Sequence, residues 1–258
     1  MVLPEEIGDA AQDADDADVA RVKFWLDSGG DINAGDEYNY TLLHCCAIGT
    51  RADSEVTDTH VSLARTLIAL GADVNICDSA CGDSPLHATL KNAVRGRAWP
   101  DMVKLLLQAK ADLNARNNED ETPLEQAIVI DAKYAPATPL LNLQTSRSLI
   151  ALRLLLRAGA SLDCEPHDKF PTAEELIEGC YSNQDDEKVL ALKALVAGVR
   201  QHGTYKRYMR APHREFLALR GLAQRGKLST EHRALNFIAK LGERGVVWHI
   251  LTYWRATD

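Results

Sequence analysis

Short apolar stripes recur along the first three quarters of the chain, and each closes on the same kind of polar stop. The stripes are VKFWL at 22–26, ARTLIAL at 64–70, VKLLL at 103–107 and ALRLLL at 151–156. Aliphatics grouped at three- and four-residue spacing line one face of a helix, so each stripe predicts a helix packed on a neighbour. The stops are GGDIN at 29–33, GADVN at 71–75, KADLN at 110–114 and GASLD at 159–163. Gly29, Gly71 and Gly159 fall just past the helix end, where a left-handed residue is wanted, and Lys110 fills that slot at some strain. Seven to ten residues later comes a helix-start signal: TLLH at 41–44, SPLH at 84–87, TPLE at 122–125 and a weaker FPTA at 170–173. A Ser or Thr hydroxyl there accepts from an orphan amide of the first turn, and proline in that turn forfeits no hydrogen bond. Each unit therefore reads as a short helix, a reversal, a second helix and an extended finger leading to the next unit.

Four appearances in register resemble the ankyrin-repeat family, whose T-P-L-H and G-A-D-x-N motifs these strings follow almost letter for letter. The resemblance covers about Ile7 to Gly198. It implies an all-α solenoid with β-hairpin-like fingers. We expect an ankyrin-repeat domain over 1–199, about five units with degenerate first and last caps, and a basic connector with a three-helix subdomain over 200–258. Intervals of 42, 39 and 49 residues separate Asp31, Asp73, Asp112 and Ser161, against a family period of about 33. The excess is expected as insertions between first and second helices at 49–60, 94–100 and 131–146.

Charge adds a polarity to this picture. The net charge is −8, which argues against generic binding to nucleic acid or anionic lipid. Residues 1–36 hold ten acids against Arg21 and Lys23, whereas 203–258 hold eleven Lys/Arg against four acids. The six cysteines are scattered, no stretch approaches the length of a membrane span, and the acidic N-terminus is unlike a signal peptide. A cytoplasmic or nuclear setting with reduced thiols is expected.

Catalytic signatures are missing from the sequence: no phosphate loop, zincin helix or nucleophile elbow is present. His44 beside Cys45 and Cys46 holds the structural T-P-L-H position, and Cys77-x3-Cys81 has no second pair to complete a zinc site. The sequence therefore predicts no enzyme, no metal and no cofactor.

What the resemblance implies is a protein–protein interaction module that binds on its fingers and inner helices. The family's variable contact positions fall on Glu37, Tyr38 and Tyr40, on Asp83, Lys91 and Asn92, and on Asn118, Glu119 and Glu121. Acids outnumber bases along the fingers, so a partner with a basic docking segment is expected, and the chain's own basic end could serve in weak head-to-tail self-association. A second apolar surface is expected on Val246, Trp248, Ile250, Tyr253 and Trp254. The string LGERGVVWHILTYW resembles the first helix of an F-box, which makes a ubiquitin-ligase adaptor the alternative to a simple end-cap; FLALRGLAQRG lacks the usual cysteine of a SOCS box. A further alternative is nucleic-acid contact through 202–214, where tyrosines alternate with Lys and Arg.

Overall fold

The computed structural model describes residues 2–52, 54–92, 97–134, 146–162, 171–181 and 185–211. Their helices are α1 (Glu5–Asp13), α2 (Asp16–Asp27), α3 (Leu42–Ile48), α4 (Asp58–Ala69), α5 (Pro85–Lys91), α6 (Trp99–Gln108), α7 (Pro123–Tyr134), α8 (Arg147–Ala158), α9 (Ala173–Cys180) and α10 (Glu187–His202). The odd-numbered helices α1 to α9 form one row in which each packs on the next, while α4, α6 and α8 form a second row. Pairs α1–α2, α3–α4, α5–α6 and α7–α8 close each unit. Two rows of helices, with an isolated antiparallel bridge between Gly35 and Thr41 at a finger, make the mostly helical solenoid that the periodicity predicts. The chain divides into two units, Met1–Ala197 and Gly198–Asp258.

The core follows directly from the stripes. In α8, Leu149, Leu152, Leu155 and Leu156 return to one face every three or four residues, and all are buried. The short first helices are enclosed more completely: Leu42, Leu43, Cys46, Leu86 and Leu90 are almost wholly inaccessible, because each is sandwiched between the preceding and the following unit.

Helix ends obey the local chemistry. Gly29, Gly71 and Gly159 have φ of 93°, 100° and 106°, and Lys110 adopts φ 66° in the equivalent slot. That conformation places Cβ against the next carbonyl and costs a non-glycine residue about 1–2 kcal/mol.

The insertions are shorter than the sequence suggests, because helices extend into them. Asp58, Thr59 and His60 are the first turn of α4, Trp99 and Pro100 begin α6, and residues 131–134 finish α7. Residues 93–96 and 135–145, with the helices expected over 212–254, lie outside the described residues.

Asp131 shuts the stems of the third insertion. Its carboxylate accepts the Ser146 hydroxyl at 2.7 Å and the amides of Arg147 and Ser148 at 3.3 and 3.2 Å. One side chain at the end of α7 thus caps the start of α8. A relay continues from the Asp131 amide through the Ser148 and Tyr181 hydroxyls to the Ile128 carbonyl. Burial and the Asp131 charge hold the Tyr181 phenol well above its usual range, so it stays a neutral donor.

Candidate functional site

Each described finger is folded by one carboxylate or amide side chain. Asp36 Oδ1 accepts the amides of Tyr38 and Tyr40 at 2.8 and 2.9 Å. Asp78 accepts those of Cys81 and Asp83 at 2.6 and 3.0 Å, and Asn117 Oδ1 accepts those of Glu119 and Glu121 at 3.1 and 2.9 Å. Short Asx side chains satisfy amides that a tight turn leaves without backbone partners. Two residues before each helix cap the backbone turns left-handed, at Asn39 (φ 61°), Gly82 (φ 69°) and Asp120 (φ 61°). These are residue types that tolerate it.

The finger tips are joined into one edge. The Ser79 amide donates to the Tyr38 carbonyl at 2.8 Å, and the Asn118 amide donates to the Cys81 carbonyl at 2.7 Å. Asn39 Nδ2 also reaches the Cys77 carbonyl at 2.8 Å. Further in, Asn33 Oδ1 accepts the Asp73 amide and Asn75 Oδ1 the Asp112 amide, both at 2.8 Å. The Asp and Asn of the G-A-D-x-N strings are therefore ties between units.

Along this edge Glu37, Tyr38, Asn118 and Glu119 are exposed, with Tyr38 at 51%. Tyr40 is half-buried, its ring 6.5 Å from that of Tyr38 and edge-on to His44 at 5.8 Å. Burial and the neighbouring Asp78 raise its phenol. Asn92 caps α5 through the Ala88 carbonyl at 3.0 Å, and the Glu121 amide and carbonyl serve the finger and His87.

Asp83 departs from the expectation of a contact position. It is 4% exposed. One carboxylate oxygen accepts Lys91 Nζ at 3.0 Å, and the other accepts Asn117 Nδ2 at 2.9 Å. Asp83 therefore joins its finger to α5 and to the next finger, with both oxygens engaged and the side chain buried. Lys91 is committed to the same pair: burial draws its ammonium down, but the Asp83 hydrogen bond and charge outweigh this and hold it above the usual lysine range. The acidic row read from the sequence is accordingly thinner at the surface, since Asp78 and Asp83 are both buried. The second-interface residues Val246, Trp248, Ile250, Tyr253 and Trp254 lie outside the described residues.

A cleft of about 440 Å³ opens beside the first finger. Leu3, Pro4 and Gly8 give it apolar walls, while Glu5, Asp36 and Glu37 with the Tyr40 ring supply its polar rim. Asp9, also on the rim, pairs with Arg51.

Histidines lie beneath the fingers. His44 Nδ1 accepts the Thr41 amide and hydroxyl at 3.2 and 2.9 Å, so the ring proton sits on Nε2, which donates to the Asp83 carbonyl at 3.1 Å. His87 repeats this with Ser84 and the Glu121 carbonyl. A third copy, missed in the sequence, is Thr57 with His60, whose Nε2 donates to the Gln12 carbonyl at 2.6 Å. Its T-x-x-H spacing was visible, but it opens a second helix inside what reads as an insertion. Burial lowers all three imidazoles below their ordinary value and keeps them neutral.

The cysteines beside His44 are set against reactivity. Burial pushes the Cys45 thiol up to about 12 and Cys46 well above its usual value, the reverse of a nucleophile. Among the described residues no group of three or more His, Cys, Asp or Glu is placed to hold a metal, and no helix is long and apolar enough to cross a membrane. In the second unit the Tyr208 ring lies 6.3 Å from Tyr205 and 6.1 Å from His202, and it packs on Gly198. These aromatics engage one another.

Residues 54–163 match the family pattern described as Ankyrin repeats, in 3 copies. An ankyrin repeat protein of Rickettsia bellii (strain RML369-C) is 30% identical over 184 residues, which covers 69% of this chain and 59% of the relative. The Neurogenic locus Notch protein of Drosophila melanogaster is 31% identical over 121 residues, 46% of this chain and 4% of its own length. The palmitoyltransferase Hip14 of the same fly is 32% identical over 101 residues, 39% of this chain and 14% of its own. The chain thus spans 59% or less of these relatives.

Proposed function

Because this chain carries ankyrin repeats, we propose that it is a non-catalytic module that holds another protein along its finger edge, and that the docking segment it holds is basic. The observation that carries this reading is the joined edge. Hydrogen bonds from Ser79 to Tyr38 and from Asn118 to Cys81 fix successive tips in one line, so their side chains are presented at set spacing with little ordering left to do on binding. On that line Tyr38 is the anchor, since a tyrosine buries a large area while losing few rotamers. Glu37 and Glu119 set the sign of the potential, and the cleft rimmed by Glu5, Asp36 and Glu37 receives a lysine or arginine side chain of the partner. The free thiols of Cys45, Cys46, Cys77, Cys81 and Cys180 accord with a reducing cytoplasmic or nuclear setting.

The test uses immobilised basic and acidic peptides of equal length and surface plasmon resonance on the full chain. Association with the basic peptide should slow markedly as salt rises from about 50 to 500 mM, where the Debye length falls from roughly 14 to 4 Å. The double variant Glu37→Lys with Glu119→Lys should stay folded and slow association further, while Tyr38→Ala should chiefly speed dissociation. Equal binding of both peptides, or no effect of either variant, rejects the finger edge as the docking surface.

A further inference from the structure

A stretch without acids runs through α10 and past its end. From Lys188 to Arg214 the sequence holds seven Lys/Arg and no Asp or Glu, in a chain whose net charge is −8. The described part of that stretch turns a corner. Gly203, at φ 77°, stops α10, and the Thr204 hydroxyl accepts the Arg207 amide at 3.2 Å to start a further helix over 205–211. At about 100° per residue, Lys206, Arg207, Met209 and Arg210 share one face of this helix, and Tyr205 and Tyr208 lie on the other. The tyrosine face is turned to the end of α10, where the Tyr208 ring packs against Gly198 so closely that any Cβ would collide with it. The cation face is exposed, Met209 included at 42%. Among the described residues Lys206, Arg207 and Arg210 form no ion pair.

We propose, resting on the reading of the finger edge as a surface for a basic segment, that this face docks on the finger edge of a second copy of the chain. The two surfaces match in kind. Glu5 and Glu37 are exposed, and both rim the cleft of about 440 Å³ beside the first finger. Tyr38 stands next to Glu37, half of its surface accessible, and offers an aromatic platform to the Met209 thioether. Cations with one flexible apolar side chain thus face carboxylates with one aromatic ring. A nucleic acid fits this helix less well. The rings that would stack on bases, Tyr205 and Tyr208, are half-buried with centroids 6.3 Å apart, and the net charge opposes a polyanion. An anionic membrane gains little from a face whose exposed apolar side chain is Met209.

The contact is heterologous, since a basic helix on one copy meets acidic fingers on the next. Each copy in a pair therefore keeps one unused surface, and association continues into a ring or an open chain. Because the charges are exposed, salt weakens it.

Sedimentation velocity of the full chain, from micromolar to submillimolar concentration, tests this. At about 50 mM salt the mean mass should rise with concentration, and at about 500 mM, where the Debye length is roughly 4 Å, it should return to that of the monomer. Two variants change exposed side chains alone, so helical ellipticity should show both folded: Lys206→Ala with Arg207→Ala and Arg210→Ala, and Glu37→Ala with Tyr38→Ala. Each by itself should associate at least about tenfold more weakly. Their equimolar mixture should give a one-to-one pair, in which the intact fingers of the first hold the intact helix of the second. A wild-type chain that stays monomeric at low salt, a variant that associates like the wild type, or a mixture no heavier than its parts overturns the inference. Binding of a single-stranded oligonucleotide or of phosphatidylserine vesicles through the three cations, without self-association, also overturns it. If the fingers in that case still hold an immobilised basic peptide, the function proposed above stands without this partner; if they hold none, both fall.

Discussion

Position three of the first helix distinguishes the early units from the late ones. Histidine there both accepts from its own cap and donates to the next finger, as His44 and His87 do. Glu125 and Glu175 close the same capping boxes, through Thr122 and Thr172, but an ionised carboxylate has no proton to give a carbonyl. Replacing His87 with Gln should therefore cost about 1–2 kcal/mol, measured by urea unfolding at pH 7.5, because the Glu121 carbonyl loses a buried donor. The lowered imidazoles also set a pH dependence. Unfolded histidines bind protons more tightly than these folded ones, so their contribution to stability is complete above about pH 6.5 and declines as pH falls toward the folded values. The slope is at most about 1.4 kcal/mol per pH unit for each ring, and His87→Gln should reduce it. Asp83→Ala strands Lys91 and Asn117 together. Lys91 is about one-third exposed, so the loss should sit below that of a fully buried pair, at about 2–3 kcal/mol by the same unfolding measurement.

Elements whose ends are written in local chemistry were readable in advance. Ser84 with Pro85, and Gly71 with its φ of 100°, announce themselves because cap and stop act within a turn or two of the residue that carries them. Lys110 was readable for the same reason, and it offers a simple check. Lys110→Gly should raise the melting free energy by about 0.5–1 kcal/mol, the relief of left-handed strain less the added freedom of the unfolded chain. A thermal melt that moves downward would show that the lysine side chain contributes more than its backbone costs. The start of α4 was not readable, because Thr57 and His60 lie in a stretch whose length alone marks it as an insertion. The burial of Asp83 was not readable for a different reason. Whether a carboxylate faces solvent or a lysine eight residues on depends on how the finger folds over α5, and neither charge count nor alignment register contains that.

At the scale of the whole stack, stability is a sum over neighbours, so a defect in an inner unit is felt on both sides. Leu86→Ala, in a side chain with no accessible surface, should cost about 2–5 kcal/mol. Because α5 packs on both α3 and α7, it should also split a single unfolding transition into two, seen by helical ellipticity against urea. Retained cooperativity would mean that the units are coupled more broadly than by nearest neighbours. The Asp131 clamp has a consequence for engineering the chain. Its bonds to Ser146, Arg147 and Ser148 fix where the two stems meet without reference to what is strung between them. Asp131→Ala should therefore loosen the start of α8 from the end of α7 and lower the melting temperature, whereas a substitution at an exposed α8 position such as Arg157 should leave it nearly unchanged, so a single carboxylate serves as the buckle between two helices.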